Sequence, residues 1–285
     1  MNPRALSFPC KGVPLVGIVH PTEPAGRTGV LMVVGGGPQY RVGGHRQLVL
    51  WSRHLAAAGI AVMRFDYRGM GDSHGEFRGF EEVGDDIDAA IEHFLAECPS
   101  VEELILWGEC DAAAAILFHA HTDPRIKRLV LLNPWARTEE GQAKTVLQHY
   151  YWHRLRQRSF WVKMLRLRFN PIASLRSAIA LASKALKRSA YRAPAADQTP
   201  AADAPLPQRL LHGLKLFNGP VMLVMSGRDY IAREFDAVIA DSPEWQQCLT
   251  AKPTTRFDLP DADHTFASRE WRDQVVSWGL EWLRT

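Results

Sequence analysis

Residues Leu104 to Ala115 read LILWGECDAAAA. Four apolar residues stop at Gly108, a cysteine stands at 110, and four alanines follow Asp111. The apolar run has the composition of a buried strand and the alanine run that of a closely packed helix, so the chain passes from one into the other within Gly-Glu-Cys-Asp. So sharp a turn needs small residues around its centre, and Gly108 and Ala112 stand two before and two after Cys110. Taken alone, the stretch fits either a buried structural turn with an incidental thiol or a turn that holds a reactive sulfur.

The flanking sequence repeats the same alternation. PLVGIVH, GVLMVVGGG, IAVMRFDYRG, VEELILWG and IKRLVLLNPW read as strands, while HRQLVLWSRHLAAAG, FEEVGDDIDAAIEHFLAEC and DAAAAILFHAH read as helices. The acidic residues at the start of the second helix lie where its dipole favours them. Strands this apolar, taking turns with helices, predict an α/β fold with a mostly parallel central sheet and helices on both faces. The rhythm breaks after Trp135, and about 80 residues pass before GPVMLVMSGRD restores a strand, too many for a plain crossover. TTRFDLP supplies a last strand and SREWRDQVVSWGLEWL a closing helix. Residues 1–138 and 208–285 are therefore expected to form the core, with 139–207 inserted as a helical basic cap that ends in the Pro- and Ala-rich linker APAADQTPAADAP.

Length and composition narrow the class. With 285 residues, 46% hydrophobic and 23% charged, the chain can bury a large core without staples. Cysteines 10, 98, 110 and 248 form no CxxC pair and no regular spacing, so neither a zinc site nor a disulfide framework is expected, and no metal or cofactor is called for. The N-terminal residues lack the apolar core of a signal peptide and no window approaches ~18 apolar residues, which predicts a cytoplasmic protein. The net charge of +3 hides an asymmetry. Between Gly141 and Ala196 there are twelve Lys or Arg and no Asp or Glu, leaving 22 basic residues against 31 acidic elsewhere, a net of −9. HYYWHRLRQRSFWVKMLRLRF, in this segment, interleaves basic and aromatic residues. That pattern suits an anionic lipid- or glycan-linked acyl substrate, or peripheral contact with the anionic inner membrane, and equally a solvated helical face on an apolar core. Nucleic acid is a poorer partner, because the acidic body repels phosphates.

In open parallel sheets the reactive groups gather beyond the carboxyl ends of the strands. Reading those positions gives Gly35-Gly36-Gly37-Pro38-Gln39-Tyr40-Arg41, then Cys110, Asp229 in SGRDY and His264 in PDADHTF. A nucleophile, an acid and a histidine in this chain order match the arrangement in which imidazole takes the proton of the nucleophile and a carboxylate orients the imidazole. Asp229 is preferred as the acid over Asp258, Asp261 and Asp263, which stand too near His264 in sequence to reach its ring from the far side, although Asp229 also suits the role of a helix cap. The backbone N–H groups of Asp111 and Gly37 are the expected oxyanion donors; Pro38 has none. The three glycines equally fit a tight turn, but neither a P-loop nor GxGxxG. Gln39, Tyr40, Arg41 and Trp135 are candidates for contact with substrate or cap. FDYRGMGDSHGE reads mainly as a structural loop held by Asp66 and Arg68.

Together FDYRGMGDS, the Gly-x-Cys-x-Ala turn and the Asp229 and His264 loops resemble the α/β-hydrolase superfamily. VVGGGPQYRVGGHRQ, RFDYRGMGDS, LWGECDAA and LLNPWART more closely resemble the exosortase A system-associated hydrolases of type 1. That resemblance implies an α/β-hydrolase fold and a setting in exopolysaccharide and protein-sorting systems of Gram-negative bacteria. With a Cys-His-Asp triad, the expected activity is hydrolysis of an ester or thioester through an acyl-enzyme. Transfer of the acyl group to a glycan or lipid, and a non-catalytic membrane- or partner-binding module of the same fold, are the alternatives.

Overall fold

The apolar runs order into one sheet because its central strands bury both faces, as parallel strands under two helical layers must. In a computed structural model that describes residues 2–36, 40–137, 200–201 and 203–285, the strands are β1 Arg4–Cys10, β2 Val13–His20, β3 Thr28–Val33, β4 Ala61–Asp66, β5 Glu103–Glu109, β6 Ile126–Leu132, β7 Val221–Ser226 and β8 Thr254–Leu259. The helices among these residues are α1 Gln47–Ala57, α2 Gly84–Glu97, α3 Asp111–His119, α4 Leu206–Leu216, α5 Tyr230–Asp241, α6 Pro243–Ala251 and α7 Arg269–Leu283. The sheet order is β1-β2-β4-β3-β5-β6-β7-β8. β1 and β2, and β2 and β4, pair antiparallel; every other pair is parallel.

β1 leaves no clear signal in the sequence. RALSFPC carries a proline, which a strand accepts only at an edge, and β1 is an edge strand. It joins β2 through Lys11 and Gly12, both at positive φ (48° and 80°), the geometry that turns a hairpin in two residues. Helix α4 also lacked a signal strong enough to set it apart from the linker. It starts at Leu206, just before the expected resumption of the core at 208, and packs on α3.

Helices α1 and α7 share one face of the sheet, where the Trp51 indole donates to the Arg272 carbonyl at 2.9 Å. Trp51 and Trp107 meet there with ring centroids 5.6 Å apart. Gly279 of α7 lies so near Trp107 that a Cβ would stand 2.7 Å from its ring. The opposite face carries α2, α3 and α4. The helical basic cap expected at 139–207, with its linker, falls outside the described residues except at 200–201 and 203–207. No helix among the described residues is long and apolar enough to cross a membrane.

Candidate active site

The turn between β5 and α3 is held against its own conformational preference. Cys110 sits at φ 60° and ψ −125°, a region that side chains rarely adopt and that costs roughly 1–3 kcal/mol. Neighbouring strand ends fix it: Cys110 N–H donates to Leu132 O at 2.9 Å and its carbonyl accepts from Trp135 N–H at 3.0 Å. A Cβ on Gly108 would stand 2.6 Å from Ile116 Cδ1 and 2.9 Å from the Ala112 carbonyl carbon, so only glycine lets α3 fold back on β5. On the other side, a Cβ on Gly35 would meet Glu109 O at 2.4 Å and the Ala112 methyl at 3.1 Å, so the loop after β3 approaches closely because position 112 is small.

His264 and Asp229 arrive from the ends of β8 and β7. His264 Nδ1 and Asp229 Oδ2 are 2.7 Å apart. Asp229 also accepts from Ile231 N–H at 3.0 Å and Ala232 N–H at 3.2 Å, so one carboxylate both caps α5 and holds the imidazole. Burial opposes charge on His264, but its hydrogen bonds to Asp229 and Cys110 outweigh burial and raise the imidazole to about 10. Burial pushes the Cys110 thiol up, while contact with His264 and the backbone N–H of Asp111 pulls it down. Thiolate and imidazolium are thus stable only as a pair.

The other expected residues fare differently. The Asp111 side chain accepts from Gly36 N–H at 2.6 Å, tying the turn to the loop after β3. Gly37 and Gln39 lie outside the described residues. Arg41 directs its guanidinium to Asp66 and Asp72, and the Tyr40 hydroxyl donates to Asp72 at 2.6 Å, so both brace the FDYRGMGDS loop. In that loop the buried Asp66 also accepts from the backbone of Arg41 and Asp72, while Arg68 forms a two-pronged pair with Asp86 at 2.7–3.1 Å. Trp135 contributes its backbone to the Cys110 turn, and its ring stacks under Arg137.

Two groups went unmarked in the sequence. Asn133, wholly buried and at φ 44°, donates from Nδ2 to Ser226 Oγ and to His264 O, each at 2.9 Å, and accepts from Ser226 N–H at 2.8 Å. It locks the ends of β6 and β7 to the histidine loop, and a lone Asn after a strand gives no signal of that. Glu109 and Gln47 form the second group: the Gln47 amide donates to the Glu109 carboxylate within a cavity of about 220 Å³ that Cys110 and His264 also line. Burial lifts Glu109 to about 8, against the opposing pull of His264 and Gln47. The cavity lies between the first turn of α1, the loop after β3 and the histidine loop. No cluster of three or more metal-ligating side chains is found among the described residues.

A strained turn after the fifth strand, with acid and histidine following on later strands of a 1-2-4-3-5-6-7-8 sheet, defines a hydrolase of the α/β-hydrolase type. The chain belongs to the family described as serine aminopeptidase, S33, whose model matches residues 47–235, about two thirds of its length. Solved structures share the fold. The Pyrococcus furiosus esterase Pf2001 has a TM-score of 0.63 at 14% identity, covering 99% of this chain and 90% of that one. Est1E from Butyrivibrio proteoclasticus has a TM-score of 0.59 at 16% identity, covering 99% of each. The acylaminoacyl peptidase of Pyrococcus horikoshii has a TM-score of 0.59 at 16% identity, covering 99% of this chain but 41% of that one. No curated protein matches the chain. The family description specifies serine, whereas this chain has cysteine at position 110.

Proposed function

We propose that the chain hydrolyses an ester or thioester through an acyl-enzyme on Cys110. The observation that carries this reading is the 2.7 Å contact of His264 with Asp229, on an imidazole that also hydrogen-bonds the sulfur of the strained turn. The thiol proton passes to His264, and the sulfur attacks the substrate carbonyl. The tetrahedral adduct then expels its alcohol or thiol, which takes the proton back from the imidazolium. Water, deprotonated by the same imidazole, cleaves the acyl-sulfur bond, releases the acid and restores the thiol. Asp229 orients the ring and stabilises its charge, and the backbone N–H groups of Asp111 and Gly37 serve the oxyanion. The motifs around Gly35, Asp66, Cys110 and Asn133 support the exosortase A-associated subtype, and an encoding locus beside exopolysaccharide genes is the check on that setting.

The test is intact mass and turnover with a panel of p-nitrophenyl esters and acyl thioesters. We expect an acyl adduct on Cys110 and a loss of turnover of about 10³ or more in Cys110→Ala. Unchanged turnover in that variant overturns the proposal.

A further inference from the structure

We propose that the cavity beside Cys110 is a subsite for a neutral substrate group that both accepts and donates a hydrogen bond, a hydroxyl or primary amide next to the scissile carbonyl, read by Glu109 and Gln47. This rests on Cys110 as the nucleophile. Gly43, Gly44, Gln47 and Glu109 line the cavity together with Cys110 and His264. Gln47, 2% exposed, gives its amide N–H to Glu109 Oε2. Gln47 Oε1 and Glu109 Oε1 are shut off from solvent and have no hydrogen-bond partner among the described residues. Of the five buried side-chain oxygens without a hydrogen-bond partner among the described residues, these two alone belong to residues that line the cavity with Cys110.

The chemistry of the pair sets what fits. Burial keeps Glu109 neutral at physiological pH. Because its Oε2 accepts from Gln47, the carboxyl proton resides on Oε1, which makes Oε1 a donor and leaves Gln47 Oε1 an acceptor. The charged groups that bear on Glu109 are His264 from the loop after β8, Asp229 from the loop after β7, and Asp263. A carboxylate has no proton to give Gln47, and an ammonium has no lone pair for Glu109; a hydroxyl or primary amide meets both. Val33, Val34 and Leu48 add apolar wall that rewards only the carbon skeleton, beside the glycine backbone and Thr265.

Alkylation of Cys110 tests this without requiring turnover. Iodoacetamide carries a primary amide on the carbon that sulfur attacks, whereas N,N-dimethyl-iodoacetamide lacks the N–H donors. Both rates are followed on the full chain by peptide mass at Cys110, and their ratio is compared with that for glutathione. We expect a ratio at least about tenfold above that for glutathione. It should be retained in Glu109→Gln, whose amide still donates into the cavity, and fall to within about twofold of glutathione in Gln47→Met. A wild-type ratio equal to that of glutathione, or one unchanged in Gln47→Met, overturns the subsite and leaves Cys110 as nucleophile intact. Failure of both reagents to label Cys110 overturns the nucleophile itself and the subsite with it.

Discussion

Replacing Glu109 by Gln isolates what a buried carboxyl beside a catalytic pair does to the fold. The amide keeps an oxygen for Gln47 and removes only the acid. Glu109 titrates near 8 in the folded chain against an ordinary 4.5, so between these values the native state holds a proton that the unfolded state has released. Stability of the parent therefore falls as pH rises through that window. At 1.36 kcal/mol per unit, the cost relative to the variant is negligible at pH 4. It grows to about 2 kcal/mol at pH 6 and about 3 at pH 7, and levels near 5 kcal/mol above pH 8. His264, raised from 6.5 to about 10, adds a further fall above pH 6.5, but it does so in both proteins and so largely cancels in the difference. The assay is urea unfolding of parent and variant at pH 5, 6, 7 and 8 at constant ionic strength. A gap that opens in favour of the variant as pH rises is expected. A gap independent of pH, or one that favours the parent at pH 8, refutes the assignment of Glu109 as a buried neutral acid.

Two other substitutions separate packing from chemistry. Gly108→Ala drives a Cβ to 2.6 Å from Ile116 and 2.9 Å from the Ala112 backbone, and should cost about 1–3 kcal/mol in thermal unfolding; unchanged stability refutes the close approach of β5 and α3. Asp229→Asn keeps an oxygen to cap α5 but removes the charge from His264, so kcat should fall about 10²–10⁴ and the imidazole should titrate well below 10. An unchanged kcat, or an imidazole that still titrates near 10, counts against Asp229 as the partner of the imidazole.

The parts of this protein legible in its sequence are those set by local sterics and period. GECDA announced its turn because Gly108 and Ala112 answer to atoms a few residues away. The parallel strands were legible because burial on both faces leaves unbroken apolar runs such as VMLVMS. Asp229 and His264 were reachable from their place after the last strands, and the two roles weighed for Asp229 turned out to be compatible, because its two oxygens accept from the cap and the ring together. The rest depends on partners far apart in the chain. Tyr40 and Arg41 looked available for substrate, but Asp66 and Asp72, some 25 to 32 residues on, take up their polar groups. Asn133 is 93 residues from Ser226 and 131 from His264, and Glu109 is 62 from Gln47; no period or motif encodes such meetings. β1 was hidden for another reason, since an edge strand tolerates the proline and polar residues that argue against a strand elsewhere.

The proposed use of sulfur, in a family named for serine, fits the balance of charges around it. A serine hydroxyl gives up its proton only as it attacks, so it needs a neutral imidazole waiting as base. Here the hydrogen bonds of Asp229 and of Cys110 together lift His264 to about 10, so the protonated ring belongs to a site that holds sulfur. A thiol with an ordinary value of 9.0 meets that imidazole on nearly equal terms, even though burial pushes it up. The proton can rest on nitrogen before substrate arrives, and the nucleophile is then a thiolate held by its own imidazolium. His264 enters the first step already charged and serves as the acid that protonates the leaving group. In that arrangement the acyl-enzyme is itself a thioester, so attack on a thioester exchanges like for like, whereas attack on an oxygen ester or an amide climbs to a less stable acyl group. On the proposed mechanism the site is best matched to thioesters and activated esters, and the proposed Glu109–Gln47 subsite would select among them by the group beside the carbonyl.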